Sequence, residues 1–456
     1  MVRTRIAPSP TGQDIHVGNL YTALMNWAFA RKNKGQFVVR IEDTDRTRWQ
    51  EGAEEKILAS IKAFGLVYDE GPDIGGPYAP YRQSDRLETY KIHAEELIAK
   101  GKAYYCFCTK ERLDALREQQ IKDKKTPRYD KHCLTEKDAK SRIENGEKYV
   151  IRLNVPQNEK ISFIDVIRGE ITFETNDIDD QVLLKSDGFP TYHLGVVIDD
   201  HLMKITHIIR AEEWISSTPK HVLLYKAFGW ELPIFAHMPI LRNPDKSKLS
   251  KRKNPVWAAW YLEQGFLPEA VINYLALLGW SHPEEKEIFP VTEFIKLFDL
   301  KDIKPVGPVF DLVKLKWVNQ QYIQMQSDKD LKKLIIDFYP KAKELPEAQL
   351  DALMPLLNSR METLKDFETL TKVFFVNKLD ISEENVDLAK DLEEKLSAIS
   401  EWNHAMIFTE MKKIMDAKKI RMPVLYKLLT GEDRGLPLPQ VIEILGRDTT
   451  LSLLKK

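Results

Sequence analysis

The sequence predicts an α/β protein: a parallel-sheet domain split by an α+β insertion and followed by an all-α C-terminal region. Three observations predict this. Short strand-like runs alternate with helical ones through the first half. A Lys-, Glu- and Asp-rich stretch with β-rich pieces interrupts them between about residues 98 and 190. Beyond about residue 330 strand signals nearly vanish. The chain has 456 residues, past the ~250–300 at which single cores stop growing, so several units are expected.

The first strand reads from Arg3 to Ala7 and is broken by the turn Pro8-Ser9-Pro10-Thr11-Gly12. Val17, Leu20, Tyr21, Leu24, Trp27 and Ala28 then recur at helical spacing. Phe37 to Ile41 is a second strand, ending in Glu42-Asp43-Thr44-Asp45, and a helix follows from about Glu54 to Phe64. Strand, helix, strand, helix at this pitch is a parallel unit. Val150 to Leu153 and Ile161 to Phe173 are the β-rich pieces of the insertion. Ile205 to Ile209 reads as a strand and Pro219 to Phe228 as a helix, resuming the first style. Leu331–Phe338, Leu350–Leu357 and Leu388–Ile399 carry helical periodicity with charged outer faces. The expected divisions are 1–97, 98–190, 191–254, 255–325 and 326–456.

Composition excludes some classes. There are 68 Lys+Arg against 69 Asp+Glu, a net charge of −1, so any RNA would have to meet local basic patches. Two such clusters are Lys122, Lys124, Lys125 and Arg128, and Lys412, Lys413, Lys418, Lys419 and Arg421. No apolar run reaches the ~20 residues that cross a bilayer, and the N-terminus opens directly into a strand pattern. Three cysteines are too few for a disulfide scaffold. A cytoplasmic protein is expected.

Two stretches suit phosphate chemistry. Pro8 to Gly12, with His16-Val17-Gly18-Asn19, lies between the first strand and the first helix. A helix N-terminus there offers free N–H groups to ATP phosphates. Gly12 and Gly18 permit close backbone approach, and His16 can donate to an α-phosphate oxygen. The second is Lys248-Leu249-Ser250-Lys251-Arg252-Lys253, a cationic loop able to clamp a triphosphate.

Together the two resemble the paired signatures of class I aminoacyl-tRNA synthetases: His-x-Gly-His near the N-terminus, and Lys-Met-Ser-Lys-Ser after the second half of a split Rossmann-type domain. Asn19 stands at the fourth position of the first signature. Three residues, Gln13-Asp14-Ile15, separate Gly12 from His16, where the pattern has two.

Further stretches resemble the bacterial glutamyl-tRNA synthetases within that family. They are Arg5 to Gly12, Arg40-Ile41-Glu42-Asp43-Thr44-Asp45, Asp187 to His193, Ile209-Arg210-Ala211-Glu212-Glu213-Trp214 and Gly265 to Ala270. A weaker match runs through Phe310 to Ile323 to the C-terminus. The resemblance implies a ligase that activates L-glutamate with ATP and Mg²⁺ and transfers it to tRNA(Glu), working as a monomer. It assigns Arg5 and Arg210 to the side-chain carboxylate, as guanidinium chemistry allows. Glu42 falls to the α-ammonium, with Ser9 and Tyr192 completing the pocket. Some members carry Asn where this chain has Val196, so no polar contact is assigned there. Glu213, Trp214 and backbone near Leu241 are implied around the nucleoside, with His16, Gly18, Lys248 and Lys251 on the phosphates. The segment 98–190 would bind the acceptor stem, 255–325 would contact the stem, and 326–456 would read the anticodon. Arg360 matches a position that reads the third anticodon base.

Cys106, Cys108 and Cys133 have zinc-like spacing. Some bacterial members of the family this chain resembles hold a structural zinc in this insertion, with a His or Tyr as fourth ligand. Here Thr135 cannot be a histidine-like ligand, which leaves Tyr129 or His132 as the fourth; the other reading is three reduced thiols without metal. A glutaminyl enzyme would carry a β-barrel anticodon part, and the tRNA-queuosine-modifying enzyme lacks the last third of this chain. A form that also charges tRNA(Gln), and a non-catalytic tRNA-binding paralogue, remain as alternatives.

Overall fold

A computed structural model of the chain describes residues 1–250 and 255–455. They fall into two units: Met1–Trp260 with Ile272–Asp311, and Tyr261–Val271 with the chain from Leu312 onward. The larger unit begins β1 (Arg3–Ile6), α1 (Val17–Lys32), β2 (Gln36–Val39), α2 (Ala53–Ala63), α3 (Leu87–Ala99) and β3 (Ala103–Cys106). Next come α4 (Lys110–Lys122), α5 (Ala139–Glu144), β4 (Val150–Leu153), β5 (Lys160–Asp165), β6 (Gly169–Glu174) and β7 (Val182–Leu184). Then follow α6 (Tyr192–Leu202), β8 (His207–Ala211), α7 (Thr218–Phe228), β9 (Ile234–Met238) and the start of α8 (Ala258–Glu263), whose residues from Tyr261 belong to the second unit.

β1 and β2 pair in parallel, Arg5 opposite Val38. β8, β9 and β5 are also parallel, with Arg210 opposite His237 and Asp165 opposite Phe235; β6 turns back antiparallel on β5. Thr206 N–H bonds to Arg3 O at 3.0 Å, which sets β1 beside the approach to β8. A separate antiparallel sheet, β3-β4-β7, stands in the charged stretch. The strands at 160–174 thus hydrogen-bond into the sheet that carries β8.

All four residues of β1 are buried although two are arginines. Burying charge is tolerable only with a partner. Arg3 finds Glu70 at 2.7 Å and Arg5 finds Asp200 at 3.2 Å. α1 is buried on most of its surface, and Asn26 Nδ2 donates to Ile209 O, tying it to β8. Its last turn carries Arg31 and Lys32, where cations suit the negative end of the helix dipole.

The strand expected at 205–209 lies at 207–211. Lys204 takes a left-handed conformation (φ 57) and Ile205 N–H bonds back to Asp200 O at 2.8 Å. These residues therefore close α6 and do not open β8. Arg210 is consequently inside a strand.

The second unit is helical through its described residues past Leu312, including Leu312–Gln324, Asp328–Phe338, Glu347–Asn358, Val386–Ser397 and His404–Lys418, then Met422–Thr430, Leu438–Leu445 and Arg447–Leu454. Ser327 and Asn403 cap two of these helices, accepting from the N–H of Asp330 and Met406. Leu388, Leu392, Leu396, Ile407, Met411, Leu425, Leu428 and Ile442 form one core. Gly265 (φ +77) accepts from Leu364 N–H at 2.9 Å, and a Cβ there would stand 2.7 Å from Lys365 N. Only glycine fits that approach.

Candidate active site

A cavity of about 700 Å³ opens beyond the carboxyl ends of β1, β2 and β8 and the N-terminus of α6. Open parallel sheets place ligands at this end. Arg5, Ser9, Glu42, Tyr192, Arg210, Glu213 and Trp214 all line it, and Val196 contributes an apolar wall. Glu42 is set there by backbone pairing: its N–H bonds to Pro8 O at 3.0 Å, two residues after Arg40 N–H bonds to Ile6 O.

Arg5 is neutralised within the protein. Its Nε and Nη2 donate to the two Asp200 oxygens, each at 3.2 Å. Arg40, wholly buried, donates to Asp200 Oδ1 at 2.7 Å and to Glu42 Oε1 at 3.0 Å. Burial opposes the Asp200 charge, but Arg5 and Arg40 outweigh it and hold this carboxyl below the usual carboxylate range. Glu42 goes the other way. Burial raises its carboxyl above the ordinary value, against the pull of Arg40 and Arg5.

Arg210 is held differently. Nε donates to His237 Nε2 at 3.2 Å, Nη1 to Tyr192 Oη at 3.1 Å and His221 Nδ1 at 3.2 Å, and Nη2 to Thr218 Oγ1 at 2.8 Å. No carboxylate is among its partners in the described residues. Four guanidinium groups, Arg5, Arg40, Arg86 and Arg210, therefore meet three carboxylates, Asp199, Asp200 and Glu42, and one positive charge is unbalanced. His237 Nδ1 lies 2.6 Å from Asp165 Oδ2, which fixes the proton on Nδ1 and leaves Nε2 to accept. His221 passes its other nitrogen to His193 Nδ1 at 3.1 Å. Burial, then Lys220 and Arg210, push His193 down to about 3. Burial chiefly, with Arg210 next, holds His221 well below the histidine range. Burial also lowers His237, to about 4, with Asp165 opposing. All three rings stay neutral acceptors or relays.

His16 caps α1: its Nδ1 accepts from Gly18 N–H at 2.9 Å, so the neutral ring carries its proton on Nε2. His16 does not line the cavity with Arg5 and Arg210. Lys248 pairs with Glu213 at 2.5 Å, and Glu213 lines the cavity. Lys251 lies outside the described residues. Leu241 is buried, and its carbonyl accepts from Leu249 N–H at 3.0 Å, tying the first residues of the lysine loop back to the chain beyond β9. Trp214 packs on Tyr192 with ring centroids 4.2 Å apart. Ser9 is exposed on the cavity rim, its carbonyl accepting from Thr11 N–H.

The three cysteines converge, with ligand atoms all within 4.8 Å of one another. Cys108 and Cys133 sulfurs are 3.6 Å apart. A tetrahedral zinc with ~2.3 Å sulfur bonds sets its sulfurs about 3.8 Å apart, so the spacing fits that metal. Tyr129 Oη lies 3.4 Å from both Cys106 and Cys108, whereas His132 is exposed and outside the cluster. Of the two candidates for a fourth ligand, only Tyr129 is in place. Burial opposes the Cys106 thiolate, but Tyr129 and Arg152 hold this thiol below its usual value. Burial and the neighbouring thiols push Cys108 up to about 11.

Arg360 is exposed just past the helix Glu347–Asn358. In the two basic clusters, Lys413 and Lys418 pair with Glu410 and Asp391, and Arg128 lies 3.8 Å from Asp177.

Sequence reasoning missed Asp200, Arg40, His221, His237 and Asp165. A signal existed for one of them: Asp199-Asp200 directly follows the apolar run Val196-Val197-Ile198, where a buried carboxylate demands a buried cation.

Comparisons with known proteins agree with this geometry. Residues 1–317 match the family described as tRNA synthetases class I (E and Q), catalytic domain, and residues 329–456 match an anticodon binding domain. The glutamate–tRNA ligase of Fusobacterium nucleatum is 44% identical over all of this chain and 96% of its own length. That of Thermus thermophilus is 45% identical, covering 100% and 99%. The crystal structure of a glutamate tRNA ligase from Elizabethkingia meningosepticum, in complex with its amino acid, superposes with a TM-score of 0.84 at 37% identity, covering 99% of this chain and 98% of that one.

Proposed function

The chain belongs to the class I aminoacyl-tRNA synthetases as a glutamate–tRNA ligase, and from that premise we propose how its residues share the work. L-glutamate lies with its side-chain carboxylate against Arg210 and Arg5 and its ammonium against Glu42, with Tyr192 beneath and Ser9 at the rim. One observation supports this above the others: Arg210 is surrounded by uncharged acceptors and faces a cavity whose other cations are already balanced. A substrate with two carboxylates and one ammonium supplies the missing charge. Glutamine would leave a buried guanidinium uncompensated, a cost of about 3–5 kcal/mol, or roughly two to four orders of magnitude in affinity.

ATP binds with Mg²⁺ as its counter-ion, its base against Trp214 and its ribose near Glu213 and the Leu241 backbone. The α-carboxylate of glutamate attacks the α-phosphorus, pyrophosphate leaves, and the terminal ribose hydroxyl of tRNA then displaces AMP. No covalent nucleophile is required. His16 Nε2–H and the Gly18 backbone meet charge growing on the α-phosphate, while Lys248, released from Glu213, and Lys251 take the pyrophosphate. Residues 98–190 hold the acceptor stem, 255–325 contact the stem, and Arg360 in 326–456 reads the anticodon. Cys106, Cys108, Cys133 and Tyr129 would hold a zinc ion whose only contribution is to brace this segment. No helix among the described residues is long and apolar enough to cross a membrane; a cytoplasmic monomer is the working state.

ATP–pyrophosphate exchange, run with glutamate or glutamine and with or without tRNA, tests the reading. Exchange with glutamate is expected. Exchange with glutamine instead, or none under any condition, overturns it.

A further inference from the structure

The turn carrying His16 is one residue longer than the pattern it resembles, and the added length is not slack. Gln13 points outward, but Asp14 and Ile15 are buried. Asp14 Oδ1 accepts from the Ser60 hydroxyl on α2 at 2.8 Å, and Oδ2 accepts from Ala259 N–H in the first turn of α8 at 2.7 Å. The chain around it forms a short antiparallel pairing. Val17 N–H bonds to Val256 O at 2.6 Å, Ala258 N–H bonds to Ile15 O at 3.0 Å, and His16 sits opposite Trp257. The Trp257 ring stands edge-on to the His16 ring, 6.4 Å between centroids, and rests on Gly12, where a Cβ would come within 2.6 Å of it.

Residues 256–259 follow closely on the lysine loop, which runs from Lys248 to Lys253. The residues that follow that loop, 256–259, are thus fastened to the turn bearing the histidine, and Asp14 bonds through its side chain to both α2 and α8. We propose that Asp14 is a positioning residue for glutamate activation: it sets the separation between the histidine turn and the lysine loop, the two groups that must meet the same triphosphate. This rests on the phosphate-handling roles given above to His16 and Lys248. An acceptor lost here strands two donors in a buried place, and a shift of about 1 Å at the phosphates is enough to slow chemistry by up to ~100-fold.

The test is tRNA-dependent ATP–pyrophosphate exchange on the full-length enzyme with Asp14→Ala, Asp14→Asn and Asp14→Ser, each scaled to active sites by titration of adenylate formed. Asp14→Ala is expected to raise the ATP KM and lower kcat, each by about tenfold, while the glutamate KM stays within about twofold. Asp14→Asn keeps an oxygen for Ala259 N–H and can donate to Ser60, so it should stay within about threefold of the parent throughout. Asp14→Ser, a smaller perturbation that cannot span to both partners, stands in if the alanine variant does not fold, with the same split between the two KM values expected. A loss confined to the active fraction or to Tm, with both KM values and the scaled kcat unchanged, would reduce Asp14 to a stabilising contact and overturn the proposal. An asparagine variant as impaired as the alanine one would overturn it too. His16→Ala and Lys248→Ala serve as controls: if they retain full exchange, the roles of the two loops fail, which is a different result from failure of Asp14.

Discussion

Asp165 Oδ2 stands 2.6 Å from His237 Nδ1 with both side chains sealed from solvent, and the opposite nitrogen of the same ring accepts from Arg210 Nε at 3.2 Å. A carboxylate on β5 thereby decides which face of an imidazole on β9 is an acceptor, and so decides how an arginine on β8 is held.

Asp165→Asn is expected to raise the glutamate KM. With an amide at 165 the His237 proton is free to move to Nε2, where it would confront the Arg210 N–H. A donor facing a donor costs about 1–3 kcal/mol, which translates to roughly 5- to 150-fold. The ATP KM should move much less, because Trp214 meets this chain of bonds only through its carbonyl, which accepts from Thr218, and its packing on Tyr192. Steady-state exchange kinetics with each substrate varied in turn would show it; equal rises in both KM values would refute the relay.

The pH dependence should belong to Glu42. Its carboxyl is raised by burial, and the ionised form is the one that can take an ammonium group. As pH falls through that raised value the group gains a proton, the ammonium loses its partner, and the glutamate KM climbs; at higher pH the KM is flat. The climb should begin above the pH at which an ordinary glutamate, near ~4.3, would titrate. His193, His221 and His237 are held low by burial, so no inflection near the ordinary histidine value is expected. Glu42→Gln should raise the KM throughout and abolish the acid limb. A profile unchanged in that variant would assign the limb elsewhere.

Elemental analysis of purified protein should find close to one zinc per chain. Cys133→Ser, or prolonged chelation, should lower Tm and loosen β3 and the loop 129–133, measured by amide exchange, while tRNA-independent substrate binding is kept. Less than about a tenth of an equivalent of zinc would leave the thiols as a buried, metal-free cluster.

Arg360→Gln should relax anticodon discrimination. The side chain is exposed and its effect should fall on tRNA alone. Charging of purified tRNA(Gln) with labelled glutamate is expected to be negligible for the parent enzyme and to rise about tenfold or more in the variant, an amount equal to one polar base contact of roughly 1–3 kcal/mol. Efficient charging by the parent would refute the role.

Much of the cavity was legible because Arg5, Glu42 and Arg210 sit in local patterns of strand followed by charge, and a parallel sheet brings such ends together whatever the intervening chain does. Tyr192 was legible only through the family resemblance of Asp187 to His193; the structure puts it at the start of α6. What could not be read was how each charge is settled. Arg5 and Asp200 are 195 positions apart, and Arg210 and His237 are paired only through β-sheet register. The strand carrying Arg210 was read two residues early because Ile205 looks like a strand residue and is instead consumed in closing α6. The fourth residue of the cysteine cluster was open in the sequence because Tyr129 and His132 both lie within four residues of Cys133; only the folded chain, which buries Tyr129 against two of the sulfurs, separates them.

The shared carboxylates of α6 also govern how this protein can be made. Arg5, Arg40 and Arg86 are all buried, and they draw their acidic partners from Asp199 and Asp200. A nascent chain that has emerged only as far as α3 would have to enclose Arg5 and Arg86 with nothing to offset them, and Arg40 with Glu42 alone, at several kcal/mol for each unpaired cation. The N-terminal third must therefore wait, loosely collapsed, until translation delivers residues 199 and 200. Ribosome-bound intermediates shorter than this should be substrates for holding chaperones and proteases, and the earliest protease-resistant species should appear only after α6 clears the exit tunnel.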